Sequence, residues 1–264
     1  MTILHIDTEY SWRGGEQQLL YLIDGLKKKG HRNLVVCQPK SRLSERVGVE
    51  NYELYTIKMR GEWDFLAIAR IRKIIKEKSV EIVHMHTAHA QTLGMFASMG
   101  LDECKRVVSR RVDFHLRSPF SRFIKYRKAD SIIAISNGVR DVLVEDGIAP
   151  DKISVIHSGI DLRRFEKVNG EYLFEELGLD RDKIVVGIVA ALAAHKDHRN
   201  FILAAKRVRD ELPGVVFLIV GDGELRDSII ALIERIGLND SVRMLGFRDD
   251  IPELLSIIDI FVSP

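Results

Sequence analysis

The sequence predicts an α/β protein built from two doubly wound domains with parallel sheets. Short β-branched runs alternate with stretches of helical period. A polar passage interrupts this alternation once, and a second alternating series begins beyond it. In the first series the strand-like runs fall at residues 3–6, 34–37, 81–85, 106–109, 131–135 and 153–156. Between them lie stretches such as Leu19, Leu20, Leu22, Ile23 and Leu26, spaced as one helix face. A strand–helix–strand series implies a parallel sheet covered on both faces. The passage at 157–182, "HSGIDLRRFEKVNGEYLFEELGLDRD", has glycines and charges but no strand-like run, so it reads as a linker with an adaptor helix. In the second series strands are expected at 184–189, 215–220, 242–245 and 258–262, with helices at about 199–212, 225–236 and 251–256. The expected division is therefore an N-terminal domain at 1–165, a linker at 166–182 and a C-terminal domain at 183–264. Ligands of such folds sit at the carboxyl ends of the strands, so the cleft between the domains is where a site is expected. The second domain is expected to be incomplete, because four strands fall short of the five or six such domains use to cover their edges.

With 264 residues, 46% of them hydrophobic, and a net charge of +2, the chain can bury ordinary globular cores. Its longest apolar stretch, 184–194, is short of the roughly 18 residues that span a bilayer, and no basic leader precedes the first strand. Cys37 and Cys104 stand far apart without a Cys-x-x-Cys, which points to reduced thiols in a cytoplasmic protein and away from a disulfide or thiolate–metal site.

"SWRGGEQQLLYLIDGL" (11–26) places Gly14 and Gly15 where a strand hands over to a helix. Bare backbone N–H groups at a helix N-terminus suit a phosphate; the same glycines equally suit a turn that needs positive φ. A Gly-x-Gly-x-x-Gly fingerprint is missing from this turn, which disfavours a nicotinamide-dependent oxidoreductase. "VGDGELRD" (220–227) repeats the arrangement, with Gly221 and Gly223 flanking Asp222. "ALAAHKDHRNF" (191–201) offers Lys196 as a fixed positive charge for a diphosphate, with His195 and His198 beside it, or else a charged cap on the next helix. His84 and His86 alternate on an otherwise apolar strand, and His86, at its carboxyl end, is placed to reach the cleft. Glu16 suits the first helical turn better than contact with an acceptor hydroxyl.

Residues 105–128 carry nine Lys or Arg and one acid, Asp113, a net of +8 that leaves −6 for the rest of the chain. Phe114, Leu116, Phe120, Phe123, Ile124 and Tyr126 are interleaved with these cations. That mixture fits an interfacial helix on an anionic membrane surface or an acidic acceptor, and equally a solvated helix face with core aromatics. No nucleic-acid recognition motif accompanies it, so nucleic acid is not an expected partner.

Taken in order, "RGGEQQ", "EIVHMH", "ADSIIAISNGVRDVL", "ISVIHSGIDLRRF", "HKDHRNFILAA", "FLIVGDGELRDSI" and "VRMLGFRDDIPELLSIIDIFVSP" resemble glycosyltransferase family 4, over nearly the whole chain. The resemblance implies the GT-B fold, with two Rossmann-like domains facing a cleft. It also implies metal-independent, retaining transfer from a UDP- or GDP-sugar, with no cofactor beyond that donor substrate. The acceptor would be a glycan or lipid-linked molecule of cell-envelope or lipopolysaccharide synthesis, met on the inner face of the membrane. By position, Gly14 and Gly15 match the family's glycine loop near the donor diphosphate, Lys196 the lysine that neutralises it, and Gly221 and Gly223 the turn lining the donor site. Gly246, Phe247 and Arg248 match the segment beside the nucleobase.

Three departures accompany the match. Ala190 and Ala191 stand where an arginine is common, and "VVSRRVDFH" offers Arg110 and Arg111, with His115 further on, where a site histidine is frequent. The acidic loop that follows "SP" in the family lies beyond the sequence. The expected catalytic set is thus Lys196, His86 and Arg111 with no metal, and the 264 residues are expected to be an inactive fragment. A non-catalytic nucleotide-sugar or glycan-binding protein and a sugar-nucleotide epimerase of the same fold are the alternatives.

Overall fold

A computed structural model describes residues 1–49, 52–116, 118–119 and 121–263. It divides into two compact units, Met1–Gly159 and Ile160–Pro264, each built on its own parallel sheet.

In the first unit the chain runs β1 (Thr2–Ile6), α1 (Gly14–Lys28), β2 (Arg32–Cys37), α2 (Arg42–Val49), β3 (Glu53–Thr56), α3 (Phe65–Glu77), β4 (Ile82–Met85), α4 (Ala88–Ala97) and β5 (Lys105–Arg110). A π-helical turn (Ser121–Arg127), β6 (Ser131–Ala134), α5 (Asn137–Glu145) and β7 (Ile153–Val155) complete it. The seven strands are ordered β3-β2-β1-β4-β5-β6-β7, all parallel, so the direction of winding reverses between β1 and β4. Alternation decides what each face buries. Leu4, Ile6, Val83, Met85 and Val108 enter one core with α3, α4 and α5. Val35 and Cys37 face the other way, against Leu19, Leu20 and Ile23 of α1 and Leu43 and Val47 of α2. Helix starts are fixed locally: Asp64, Thr87 and Ser136 accept the Ala67, Ala90 and Val139 N–H groups at the starts of α3, α4 and α5.

The strands and helices expected from the pattern are present within a residue or two at each end. β3 is an addition: "ELYT" is a half-buried edge strand, too short and too polar to show a period of its own.

The second unit runs through α6 (Tyr172–Glu176), β8 (Val185–Val189), α7 (His198–Glu211), β9 (Val216–Val220), α8 (Arg226–Arg235), β10 (Val242–Gly246), α9 (Ile251–Ser256) and β11 (Ile260–Phe261). Its strands are ordered β10-β9-β8-β11, all parallel. One face packs Val186, Ile188, Phe217 and Ile219 against α7 and α8. The other packs Val185, Val216, Leu218 and Val220 against Leu173, Leu179, Leu254 and Ile257. The adaptor helix read at 166–182 is therefore α6, and it closes the second sheet's core.

Several cations of residues 105–128 are engaged within the first unit. Lys125 is buried, donating to Glu62 Oε1 at 2.6 Å and the Ala88 carbonyl at 3.2 Å. Arg122 pairs with Asp146, and Arg106 and Lys105 pair with Asp130. Arg110 donates to the Val112 and Phe114 carbonyls and the Tyr126 hydroxyl. Leu116 and Tyr126 are buried and Phe114 is exposed. Arg117, Phe120 and the side chains of Phe123 and Ile124 lie outside the described residues, as does Pro264. A π-helical turn anchored by acids from outside the segment replaces the free basic face, because the count of charges within 105–128 omits Glu62, Asp130 and Asp146.

Candidate functional site

In the first unit the reversal of winding opens the sheet between the carboxyl ends of β1 and β4, the position where doubly wound sheets take ligands. The next residues on these strands are polar. Asp7 and Thr8 follow β1, His86 and Thr87 follow β4, and Arg111 follows β5. The start of α1 brings Gly14, Gly15 and Glu16 to the same edge. Thr8 and Thr87 join the two strand ends through a 2.6 Å hydroxyl–hydroxyl hydrogen bond. Arg111 donates from Nη1 to the His86 carbonyl at 3.4 Å. A Cβ placed on Gly15 would stand 3.8 Å from that guanidinium, and one on Gly14 would meet nothing within 4 Å.

Burial sets the electrostatics of this cluster. Desolvation, then the Glu16 carboxylate, push Asp7 up to about 7, against the Glu9 amide and Arg111. Desolvation likewise raises Glu16 and lowers Arg111, although each carboxylate partly restores the arginine. Glu16 Oε2 accepts the Arg13 N–H at 2.7 Å, so it serves the first helical turn as expected. Asp7 Oδ2, His86 Nδ1 and Arg111 Nε are buried without a hydrogen-bond partner. Three incompletely satisfied polar groups at one edge can receive a hydroxyl-bearing ligand.

Sequence reading placed His86 and Arg111 here and missed Asp7. The available signal was an acid directly after the first strand, in "HIDTEY". It also left His5 unread. His5, His84 and His86 share one sheet face, and burial holds all three neutral, His5 down to about 4. His115 is elsewhere, bonded to Asp146.

In the second unit, the winding reverses at β8, between β9 and β11. The loop after β8 carries Lys196, exposed in a short turn before α7, and Asp197 caps α7 by accepting the Asn200 N–H. His198 is buried with neither ring nitrogen partnered, and burial and then Lys196 lower its pKa. Gly221 and Gly223 lie against this loop backbone to backbone. Leu192 N donates to the Asp222 carbonyl at 3.1 Å, and Leu225 N to the Leu192 carbonyl at 3.1 Å. Gly221 has φ +138° and a Cβ there would overlap the Ala190 carbonyl, while one on Gly223 would stand 2.6 Å from the Leu192 oxygen. Both glycines are therefore required by loop packing, before any ligand is considered. Gly246 has φ +68° and Phe247 is exposed. Arg248 is committed: Asp250 accepts at 2.8 and 2.6 Å and Glu176 Oε1 at 2.5 Å, and these hydrogen bonds raise its pKa.

Comparison with known proteins gives two adjoining matches. The Glycosyltransferase Family 4 profile matches residues 12–164 and the Glycosyl transferases group 1 profile residues 171–264. A UDP-Gal:alpha-D-GlcNAc-diphosphoundecaprenol alpha-1,3-galactosyltransferase of Escherichia coli is 29% identical over 217 residues, covering 76% of this chain and 56% of the relative. A 2-deoxystreptamine N-acetyl-D-glucosaminyltransferase of Streptomyces fradiae is 30% identical, covering 99% of this chain and 68% of its own length. This chain thus spans little more than half of the E. coli relative. The crystal structure of Anabaena Alr3699/HepE in complex with UDP-glucose superposes on all of this chain and on 73% of its own, with a TM-score of 0.84 at 23% identity. The fold is that of the GT-B glycosyltransferases.

Proposed function

The chain belongs to glycosyltransferase family 4, and from that premise we propose that it serves the retaining transfer of a sugar from a UDP-sugar, or less favourably a GDP-sugar, to a lipid-linked glycan acceptor of the cell envelope. The observation that carries this reading is the cluster at the reversal point of the first sheet, where Asp7 Oδ2, His86 Nδ1 and Arg111 Nε are buried without partners. The acceptor's diphosphoundecaprenol chemistry is taken from the name of the E. coli relative, and the uridine diphosphate from the HepE complex.

Within the proposal, Lys196 stabilises the nucleoside diphosphate as negative charge grows on it, and the Gly14 and Gly15 amides give the first unit an anion-binding edge of its own. Arg111 contributes a cation to the first unit's cluster and, being protonated, takes no part as a base. His86 orients the acceptor side of the site. Gly246 and Phe247 flank the nucleobase, while Arg248, engaged by Asp250 and Glu176, shapes that segment without offering a free charge. No metal or cofactor takes part in the transfer. Work on a lipid-linked acceptor brings the protein to the inner membrane face from the cytoplasm. Lys105, Arg127 and Lys128 are exposed in the basic segment, with Lys105 3.6 Å from Asp130.

Calorimetry with UDP tests the donor side. Lys196→Ala should weaken binding by about ten- to a hundredfold, the effect of removing one charge-assisted hydrogen bond. Unchanged binding would remove Lys196 from the site.

A further inference from the structure

We propose that His5, His84 and His86 form a binding site for a single divalent transition-metal ion of the zinc type, an ion that ties β1 to β4 beneath the sheet's reversal point. This inference does not rest on the glycosyl-transfer reading, although the two share His86, and the ion takes no step in that reaction.

The parallel register sets His5 opposite His84. Residues two apart on a strand share a face, so His86 joins them, and the three are 0%, 5% and 5% exposed. One ring nitrogen from each histidine lies within 4.8 Å of one from each of the others. His5 Nδ1 and His86 Nε2 stand 3.2 Å apart, close to the ~3.3 Å between two nitrogens bound tetrahedrally to one zinc at about 2.0–2.1 Å.

The surroundings of the rings favour ligation. Asn33 Nδ2 donates to the His31 carbonyl at 3.0 Å, which fixes the amide so that Oδ1 faces His5 Nε2 at 3.1 Å. His5 therefore carries its proton on Nε2, and its Nδ1 lone pair points at His86. His84 Nε2 is held by Ser109 Oγ at 2.8 Å, which leaves Nδ1 for a ligand. Oxygen partners on the outer nitrogens of His5 and His84 are the supporting arrangement of imidazole–metal sites, whereas His86 Nδ1 is buried without a partner.

The ligand set is nitrogen only, which suits zinc, cobalt, nickel or copper and not magnesium or calcium. Asp7 lies two residues beyond His5, and its Oδ2 has no partner. The competing state is a metal-free trio in which His86 Nε2–H donates to His5 Nδ1. Binding converts that hydrogen bond into two metal bonds and moves the His86 proton to Nδ1, with no proton released.

The test uses the full chain without a histidine tag, stripped with chelator. Cobalt titration should give one equivalent with the intense visible absorption of a tetrahedral site. Zinc should displace it and should shift the 15N resonances of His5 Nδ1 and His86 Nε2. His84→Gln should weaken binding at least tenfold, as should Asn33→Leu, while His157→Gln on the surface should change nothing. Only weak octahedral cobalt absorption, 15N resonances unmoved by zinc, or affinity indifferent to His84→Gln would each overturn the proposal. The cobalt and NMR measurements on the unmodified chain decide the matter even if the His84 variant does not fold.

Discussion

Replacing Gly223 or Gly221 by alanine should loosen the loops after β8 and β9 of the second unit by an amount that the structure sets. At Gly223 the added methyl would stand 2.6 Å from the Leu192 carbonyl oxygen and 3.0 Å from its carbon and nitrogen. These neighbours are backbone, fixed by the Leu192 N to Asp222 O and Leu225 N to Leu192 O hydrogen bonds, so they cannot rotate away as a side chain would. Overpacking of this kind costs about 1–3 kcal/mol. Gly221 adds a φ of +138°, and holding a non-glycine residue in such a region costs a further ~1–3 kcal/mol. The expectation is thus about 2 kcal/mol for Gly223→Ala and about 4 for Gly221→Ala. Peptide-resolved hydrogen exchange reads this directly: amides of β8 and β9 should exchange about 30-fold and about 1000-fold faster, at 1.36 kcal/mol per tenfold change. Peptides of β1 to β5 in the first unit should serve as the unchanged reference. Gly214→Ala, with nothing within 4 Å of the new methyl, should leave β8 and β9 within a few-fold of the parent. A Gly221→Ala protein with parental exchange in β8 and β9 would refute the claim that loop packing alone demands these glycines.

Other changes test the rest of the structure. Gly25→Ala, in the exposed interior of α1 with open space at its Cβ, should stabilise the first unit by about 0.5–1 kcal/mol, seen as a higher urea midpoint by fluorescence of Trp12 and Trp63. Lys125→Glu places a carboxylate against Glu62 in a buried position. It should destabilise the first unit by about 3 kcal/mol, the low end for a broken buried pair because Glu62 keeps partial access to water; an unchanged midpoint would mean the pair is not formed. Vesicle binding is better probed with Lys105→Glu and Lys128→Glu, which should reduce co-sedimentation with anionic lipid if the exposed cations carry it. Burial pushes the Cys37 and Cys104 thiols up to about 11. At pH 8 the unfolded chain, near 8.5, holds far more thiolate than the native one, so iodoacetamide should label both cysteines rapidly in urea and only through opening in buffer. Fast native labelling at pH 8 would contradict the burial.

What the sequence by itself determined is whatever depends on neighbours a few residues apart. The run "TILHI" is a strand because three of its five residues are β-branched, and it is buried on both faces. The Leu19, Leu20, Ile23 spacing makes α1 one-sided, and Gly14-Gly15 marks the turn between them. Motif order then carried the family, and with it the placing of Lys196, Gly221, Gly223 and Gly246 on loops at strand ends. The tertiary structure decided everything that requires distant residues to meet. His5 and His86 are 81 positions apart and 3.2 Å apart in space, because parallel pairing of β1 with β4 fixes their register. Asp7 acquires its raised pKa from burial beside Glu16, and no local pattern marks that. Arg248 reads as a free cation until Glu176, 72 positions earlier, closes on it. Lys125 reads as part of a basic face until Glu62 and the Ala88 carbonyl enclose it. Periodicity is a property of one segment, whereas charge state and partnership are properties of a surrounding assembled from many segments, and only the folded chain brings those together.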